Sequence, residues 1–364
     1  MKVNIVKYLG LLATTLLFVA CTTLEHSNSE KPPQSAPVTI PSSALSSTPQ
    51  EVTSQTSTPL PTPLEESDVV EKIEEKPINK ISSTTITPEE FAENEEKVEE
   101  AAEITHIISN PIINLCEEIG TKLGSVSITE CMSQELVHSS YSTENRSLAY
   151  KDFPPLVDRD SMGKILVIGG IHGDEFSSVS ILFRWMGILD QHHSGMFHWR
   201  FIPSSNPDGL LKRKSQRQNF NGVDLNRNFP TLDWGNHALS FWEQKSFKNP
   251  RRYPGPQAGS EAETKWLVTQ IQEFEPDVII SMHAPYHLVD YDGPPTAPNS
   301  LGGLYLRKLG VFPGSLGNYA GVDLKMPIVT IELQSAGIMP NRQEVDNIWR
   351  DLVLWLKGQL TPAD

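Results

Sequence analysis

Three residues of this chain have types and placement suited to a shared chemistry. His172 and Glu175 stand in His-Gly-Asp-Glu (172–175) just after an apolar run, and His283 ends a second such run. Between them lies Asn-Gly-Val-Asp-Leu-Asn-Arg-Asn-Phe-Pro (221–230). Two imidazoles and a carboxylate suffice to hold Zn²⁺ through three protein ligands, leaving a fourth position for a water whose pKa falls to about 7 and which becomes a nucleophile. An H-x-x-E pair alone is a weak signal, and a single histidine is more often a satisfied core or surface residue than a ligand. The surrounding elements must therefore bring the three together.

Residues 164–170, 277–283 and 327–333 are short, continuous, β-branched runs, as expected of strands buried on both faces of a parallel sheet, and 197–203 reads as a fourth. Helical patterns lie between them at 177–191, 260–274 and 341–360, and Ser260 with Glu263 three residues on predicts a capping box at the start of the second. This alternation predicts an α/β fold: a doubly wound, mixed, mostly parallel sheet flanked by helices. Ligands of such sheets bind beyond the carboxyl ends of the strands. His172, Glu175, His283 and Glu332 all fall at such ends. Glu332, in a mostly apolar strand, is costly to bury unless it is paired or functional.

The rest of the chain bounds where this chemistry takes place. Residues 1–20 carry Lys2, Lys7 and an apolar stretch, then Ala20-Cys21, and read as a secretory signal. A small residue before a cysteine resembles the bacterial lipobox, in which Cys21 is lipidated and becomes the first mature residue; an incidental cysteine after an ordinary signal is the alternative. Thr22 resembles lipoproteins sorted to an outer membrane, so a periplasmic protein anchored in that membrane's inner leaflet is expected. Residues 21–104 are rich in Ser, Thr, Pro and Glu without apolar periodicity, and read as a disordered tether. Their end, 88–103, reads as a short charged helix or a solvated coil. Most of the formal net charge of −15 falls on this tether and says little about substrate. Residues 105–361 fit one domain. Export favours a disulfide between Cys116 and Cys131, with two buried free thiols as the alternative. Closing such a loop is worth about 3 kcal/mol in the chain-entropy model. An exported acidic protein offers Lys212–Arg217 no nucleic-acid partner, and a monomer is expected.

With its blocks in order, the sequence resembles the zinc metallocarboxypeptidase family, in its murein peptide amidase branch, over nearly all of 116–360. The blocks are His-Gly-Asp-Glu (172–175), Asn-Pro-Asp-Gly (206–209), 221–230, Tyr-Pro-Gly-Pro (253–256), Ser-Glu-Ala-Glu (260–263), Val-Asp-Tyr-Asp-Gly-Pro (289–294), Pro-Gly-Ser-Leu-Gly (313–317) and Thr-Ile-Glu-Leu (330–333). The resemblance implies that His172, Glu175 and His283 are the ligands of one Zn²⁺. Asp224 matches a residue that orients the first histidine, a plain turn aspartate being the alternative. Glu332 matches the general base, against a structural ion pair, and Arg217 the cation that polarises the scissile carbonyl, with Arg213 and Lys214 competing for the register. Asn226 and Arg227 match the pair that takes the substrate's terminal carboxylate.

The implied activity is hydrolysis of peptidoglycan peptides, at the γ-D-glutamyl–diaminopimelate bond of free murein tripeptide or of a stem tripeptide. A zinc-dependent N-acyl amino acid deacylase and a non-catalytic wall-binding lipoprotein are the rival readings. Leu316 lies about where the family tests the substrate side chain. Its apolar character does not explain recognition of a diamino acid, which leaves Asp290 and Asp292 as candidates. The family's mobile tyrosine has no clear counterpart in 312–319.

Overall fold

The computed structural model describes residues 110–360. The signal segment, Cys21, the tether and the stretch 88–103 lie outside the described residues. No helix among the described residues is long and apolar enough to cross a membrane.

Seven strands form the main sheet: β1 (Val137–Tyr141), β2 (Ser147–Phe153), β3 (Lys164–Ile168), β4 (His198–Ile202), β5 (Val278–His283), β6 (Leu288–Asp292) and, after a small ribbon of β7 (Ser300–Leu301) and β8 (Leu304–Tyr305), β9 (Ile328–Glu332). Their spatial order is β1-β2-β4-β3-β5-β9-β6. The central four, β4, β3, β5 and β9, are mutually parallel. β1, β2 and β6 add antiparallel edges. The expected mixed, mostly parallel sheet is thus present. The chain leaves β3 for β4 on one side and later returns to β5 on the other, so the order reverses at β3, where such sheets open a crevice.

Side-chain alternation divides the strands between two cores. Ile165, Val167, Val278, Ile280, Met282, Val329 and Ile331 face one, covered by helices Phe176–His192 and Arg342–Gln359. Leu166, Ile168, Ile279 and Ile328 face the other, covered by helix Ala262–Phe274 and the turn Gly317–Asp323. The first face stays apolar along β5 and β9. The second turns polar toward the carboxyl ends, because Ser281, His283, Thr330 and Glu332 continue the parity of Ile279 and Ile328. Asp290 and Asp292 of β6 share that parity, since Val289 and Tyr291 belong to the first core.

The capping box expected at Ser260 does not form. Helix Ala262–Phe274 has Glu261 at its N-cap with no side-chain cap, the Ser260 hydroxyl donates to the Glu261 carboxylate, and Glu263 is buried against Asn219. Tertiary partners for these carboxylates outcompete the local cap. A reciprocal capping box does form at Asn341 and Glu344, where the last helix starts in solvent. Ahead of the sheet, helices Pro111–Lys122 and Ile128–Ser133 carry Cys116 and Cys131, which are joined in a disulfide with Cα atoms 5.4 Å apart.

Candidate metal and substrate site

β3 ends at Ile168, and the following turn leads directly into helix Phe176–His192, with Glu175 at the helix N-cap. A carboxylate there is favoured by the positive end of the helix dipole. The turn is clamped from both sides. The Ser178 hydroxyl donates to Glu175 O (2.6 Å) and accepts from Gly170 N. The Asn206 amide donates to Ile171 O (3.2 Å) and Arg217 O (3.1 Å), which ties the loop bearing Arg217 to the exit of β3. Asn228 donates to Pro254 O, Gln257 O and the Ser260 hydroxyl. The blocks around 206, 228, 253 and 260 are therefore largely scaffold for the loops that hold Arg217 and Arg227.

His172, Glu175 and His283 are all buried, and their donor atoms lie within 4.8 Å of one another. His172 Nδ1 is 2.7 Å from Glu175 Oε1, His283 Nδ1 is 3.0 Å from Glu175 Oε2, and the two Nδ1 atoms are 3.1 Å apart. Tetrahedral ligands each about 2 Å from one ion are roughly 3.3 Å from each other, so the set has the spacing zinc requires. Its hydrogen bonding points the same way. His172 Nδ1 also faces Arg217 Nη1 at 3.1 Å. A proton on that nitrogen opposes the guanidinium N–H; without one, the carboxylate oxygen faces a lone pair. A cation shared by Glu175 and the two imidazoles would instead use the lone pairs that these three side chains turn toward one another.

Asp224 is wholly buried, not a surface turn residue. Its Oδ1 is 3.2 Å from His172 Nε2, off the line of a well-aligned hydrogen bond, and its Oδ2 accepts from Arg217 Nε at 2.9 Å. Burial pushes this carboxyl up, but Arg217 and His172 outweigh it and hold it far below the usual carboxylate range. Glu175 behaves alike, with burial outweighed by His172 and His283. Glu332 is the contrast. Burial, reinforced by Glu175, raises its pKa although His283 pulls the other way. It stands opposite His283 in the β5–β9 register and, among the described residues, accepts a single long bond, 3.4 Å from Tyr286 N.

His172, Glu175, Arg217, His283 and Glu332 line one cleft of about 410 Å³, together with Asn226, Arg227, Arg251, Arg252, Tyr286, Phe312, Asp290 and Asp292, while Asp224 lies behind its wall. Asn226 Oδ1 accepts from Leu316 N at 2.8 Å. The Arg227 guanidinium lies over the Phe312 ring at 4.4 Å, and burial, with Arg217 and Arg252 nearby, lowers its pKa to about 10, which leaves it cationic at neutral pH. Leu316 departs from expectation. It is buried in the second core and does not line the cleft; with its N–H anchored on Asn226, Gly317 faces the space instead. Tyr319 is likewise in that core, stacked on Phe229, and the cleft's tyrosine is the half-exposed Tyr286. Sequence reasoning missed Tyr286, Arg251 and Arg252. The only available signals were the Arg-Arg pair before Tyr253 and the closeness of Tyr286 to His283.

The family described as zinc carboxypeptidase matches residues 131–294. Murein peptide amidase A of Vibrio campbellii is 29% identical over 188 residues, 50% of this chain and 73% of that protein. Its namesake from Escherichia coli K12 is 33% identical over 145 residues, 38% of this chain and 55% of that protein. The crystal structure of murein-tripeptide amidase from Escherichia coli O157 aligns at 26% identity and TM-score 0.42, covering 63% of this chain and 93% of that one.

Proposed function

We propose that this hydrolytic enzyme, whose residues 131–294 match the zinc carboxypeptidase family, removes the C-terminal residue of peptidoglycan peptides, cutting the γ-D-glutamyl–diaminopimelate bond of murein tripeptide or of a stem tripeptide. The observation that carries this reading is the meeting of His172, Glu175, His283 and Glu332 with Arg217 and Arg227 in one cleft. The names of the relatives supply the substrate class.

His172 Nδ1, Glu175 and His283 Nδ1 would hold the zinc, which when bound acts as a Lewis acid and makes water nucleophilic near neutral pH. Glu332 takes the proton of the attacking water and delivers it to the departing amine, a task that suits a carboxyl whose pKa is raised toward neutrality. Arg217, held by Asp224, supplies fixed positive charge where the carbonyl oxygen becomes anionic. Asp224 also faces the second nitrogen of His172 and so orients its ring. Arg227 and Asn226 receive the free carboxylate of the residue to be released, for which a planar guanidinium is suited.

The same proposal places the enzyme in the periplasm, anchored through a lipidated Cys21 with the 21–104 segment as tether. Cys21→Ser should release the protein from membranes and leave its turnover of free tripeptide intact; a variant that stays membrane-bound contradicts the anchor. Incubation with defined muropeptides and mass spectrometry of the products tests the reaction. Release of diaminopimelate from tripeptide supports it, while cleavage only of N-acyl amino acids, or of nothing, overturns it.

A further inference from the structure

With Leu316 buried, the cleft needs another group to recognise the side chain of the departing residue. Its walls differ in charge. Arg217, Arg227, Arg251 and Arg252 line it from the loops between β4 and β5, and Asp290 and Asp292 line it from β6, on the same sheet face as Glu332. Three of the cations have partners: Arg217 has Asp224, Arg251 has Asp174 at 2.8 Å, and Arg227 has the Phe312 ring, while Arg252 is exposed to solvent. The acids are less satisfied. Asp290, only 5% exposed, accepts from Tyr291 N and Leu309 N, both through Oδ1, and its Oδ2 takes no hydrogen bond among the described residues. Asp292 has neither a hydrogen bond nor an ion pair among the described residues. Lys308, exposed on the following loop, is the cation whose charge reaches both, and it stays beyond ion-pair distance. A half-buried carboxylate beside a second one is costly without a counter-ion.

The fold makes room for it nonetheless. A Cβ at Gly317 would collide with Asp292 Oδ2, and one at Gly321 would lie 2.5 Å from the Asp292 Cβ. Neither glycine has positive φ. Close approach of Asp292, not backbone conformation, is what excludes a side chain at these positions.

We propose that Asp292, assisted by Asp290, is the specificity-determining carboxylate of the cleft and pairs with a side-chain ammonium on the C-terminal residue that is released. The preferred substrate then ends in a residue bearing both a free carboxylate, for Arg227, and a distal amine, for Asp292. This inference rests on the peptidase reading above and adds the side-chain recognition that the reading lacks.

The test uses the full-length zinc-loaded protein and two tripeptides that differ by one group: L-Ala-γ-D-Glu ending in diaminopimelate, or in 2-aminopimelate, which lacks the distal amine. The wild type should prefer the former in kcat/KM by roughly 10²-fold or more, as sites built to bind a polar group reject the analogue without it. Asp292→Asn should remove most of that preference through KM on the diaminopimelate peptide, with a far smaller change on the other and with zinc content retained. Gly317→Ala, which crowds the carboxylate, should act in the same direction, and Asp290→Asn more weakly. A preference that survives in Asp292→Asn, or equal losses on both peptides, overturns the assignment. A wild type that cleaves both peptides equally well overturns it while leaving the peptidase reading intact. A wild type that cleaves neither removes that reading and this inference with it.

Discussion

The carboxylates on the two sides of the cleft are held in opposite ways. On the side of β3 and β5, Glu175 is met by two histidines and the Ala284 N–H, and Asp224 by Arg217 and His172, so both stay ionised despite burial. On the side of β6, Asp290 and Asp292 face the space with only the distant Lys308 against them, and burial together with Asp290 pushes Asp292 up to about 6. Glu175 and Asp224, which act identically on every substrate, have charged and hydrogen-bonding partners within the protein. The groups proposed to discriminate between substrates are left for the ligand to complete. Glu332 lies between these extremes, opposite His283 in one register and Leu288 of β6 in the other.

The largest way to break this contrast is at the metal. His283→Ala leaves two ligands, so the purified variant should lose its zinc by elemental analysis and fall by on the order of 10³-fold or more in kcat/KM. Asp292→Asn, on the other wall, should keep stoichiometric zinc. Full metal in His283→Ala would dissolve the distinction between the walls. Asp224→Asn should have an intermediate effect, weakening zinc by roughly 10–100-fold in competition with a chelator, because the amide supports both His172 and Arg217 less well. Unchanged affinity would reduce Asp224 to a partner of Arg217 alone.

A pH series sharpens the comparison further. An ammonium is bound by the ionised form of Asp292, which predominates above about 6 and is lost as pH falls through that value. The kcat/KM ratio between the diaminopimelate and 2-aminopimelate peptides should therefore be flat above that region and drop toward about tenfold per unit below it. Taking the ratio cancels the titration of Glu332, which both substrates share. Asp290, which also repels, and Lys308, which attracts, shift the midpoint in opposite directions. A ratio independent of pH from 5 to 8 would exclude a titrating carboxylate from discrimination. The smallest expected effect on catalysis is at the disulfide. Replacing Cys116 and Cys131 with serine should lower stability by about 3 kcal/mol in thermal or denaturant unfolding yet leave kcat/KM of the folded enzyme near wild type, since the bridge joins two helices that do not line the cleft.

What could be read beforehand from the sequence follows the same division. β3, β5 and β9 are buried on both faces, so their continuous apolar runs are unambiguous, and the ends of those runs place His172, His283 and Glu332 together. β6 has a full strand partner on one side and a single bridge, Val289 to Leu306, on the other, and mixes two aspartates into its run, while β1 alternates exposed and half-buried positions; edge strands of this kind lack a clear pattern. Leu316 and Gly317 show the limit of motif reading. The block is recognisable, but which of two adjacent residues faces the cleft depends on a hydrogen bond from Leu316 N to Asn226, ninety residues away in sequence. Arg251 and Arg252 reach the cleft from a turn with no apolar periodicity, so only the assembled fold puts them there. The capping box was misplaced for a related reason, because Glu263 is drawn into a buried network with Asn219 and the Thr143 N–H.

The most direct test of the central claim is Glu332→Gln, assayed for zinc and for turnover of murein tripeptide on the same preparation. Glutamine keeps the shape and the position beside His283 but cannot accept the water's proton. The variant should keep wild-type zinc content and a KM within a few-fold of wild type, and lose about 10²–10⁴-fold in kcat. Near-normal kcat with zinc retained would contradict the claim, since the proton would then be passing through a group other than Glu332.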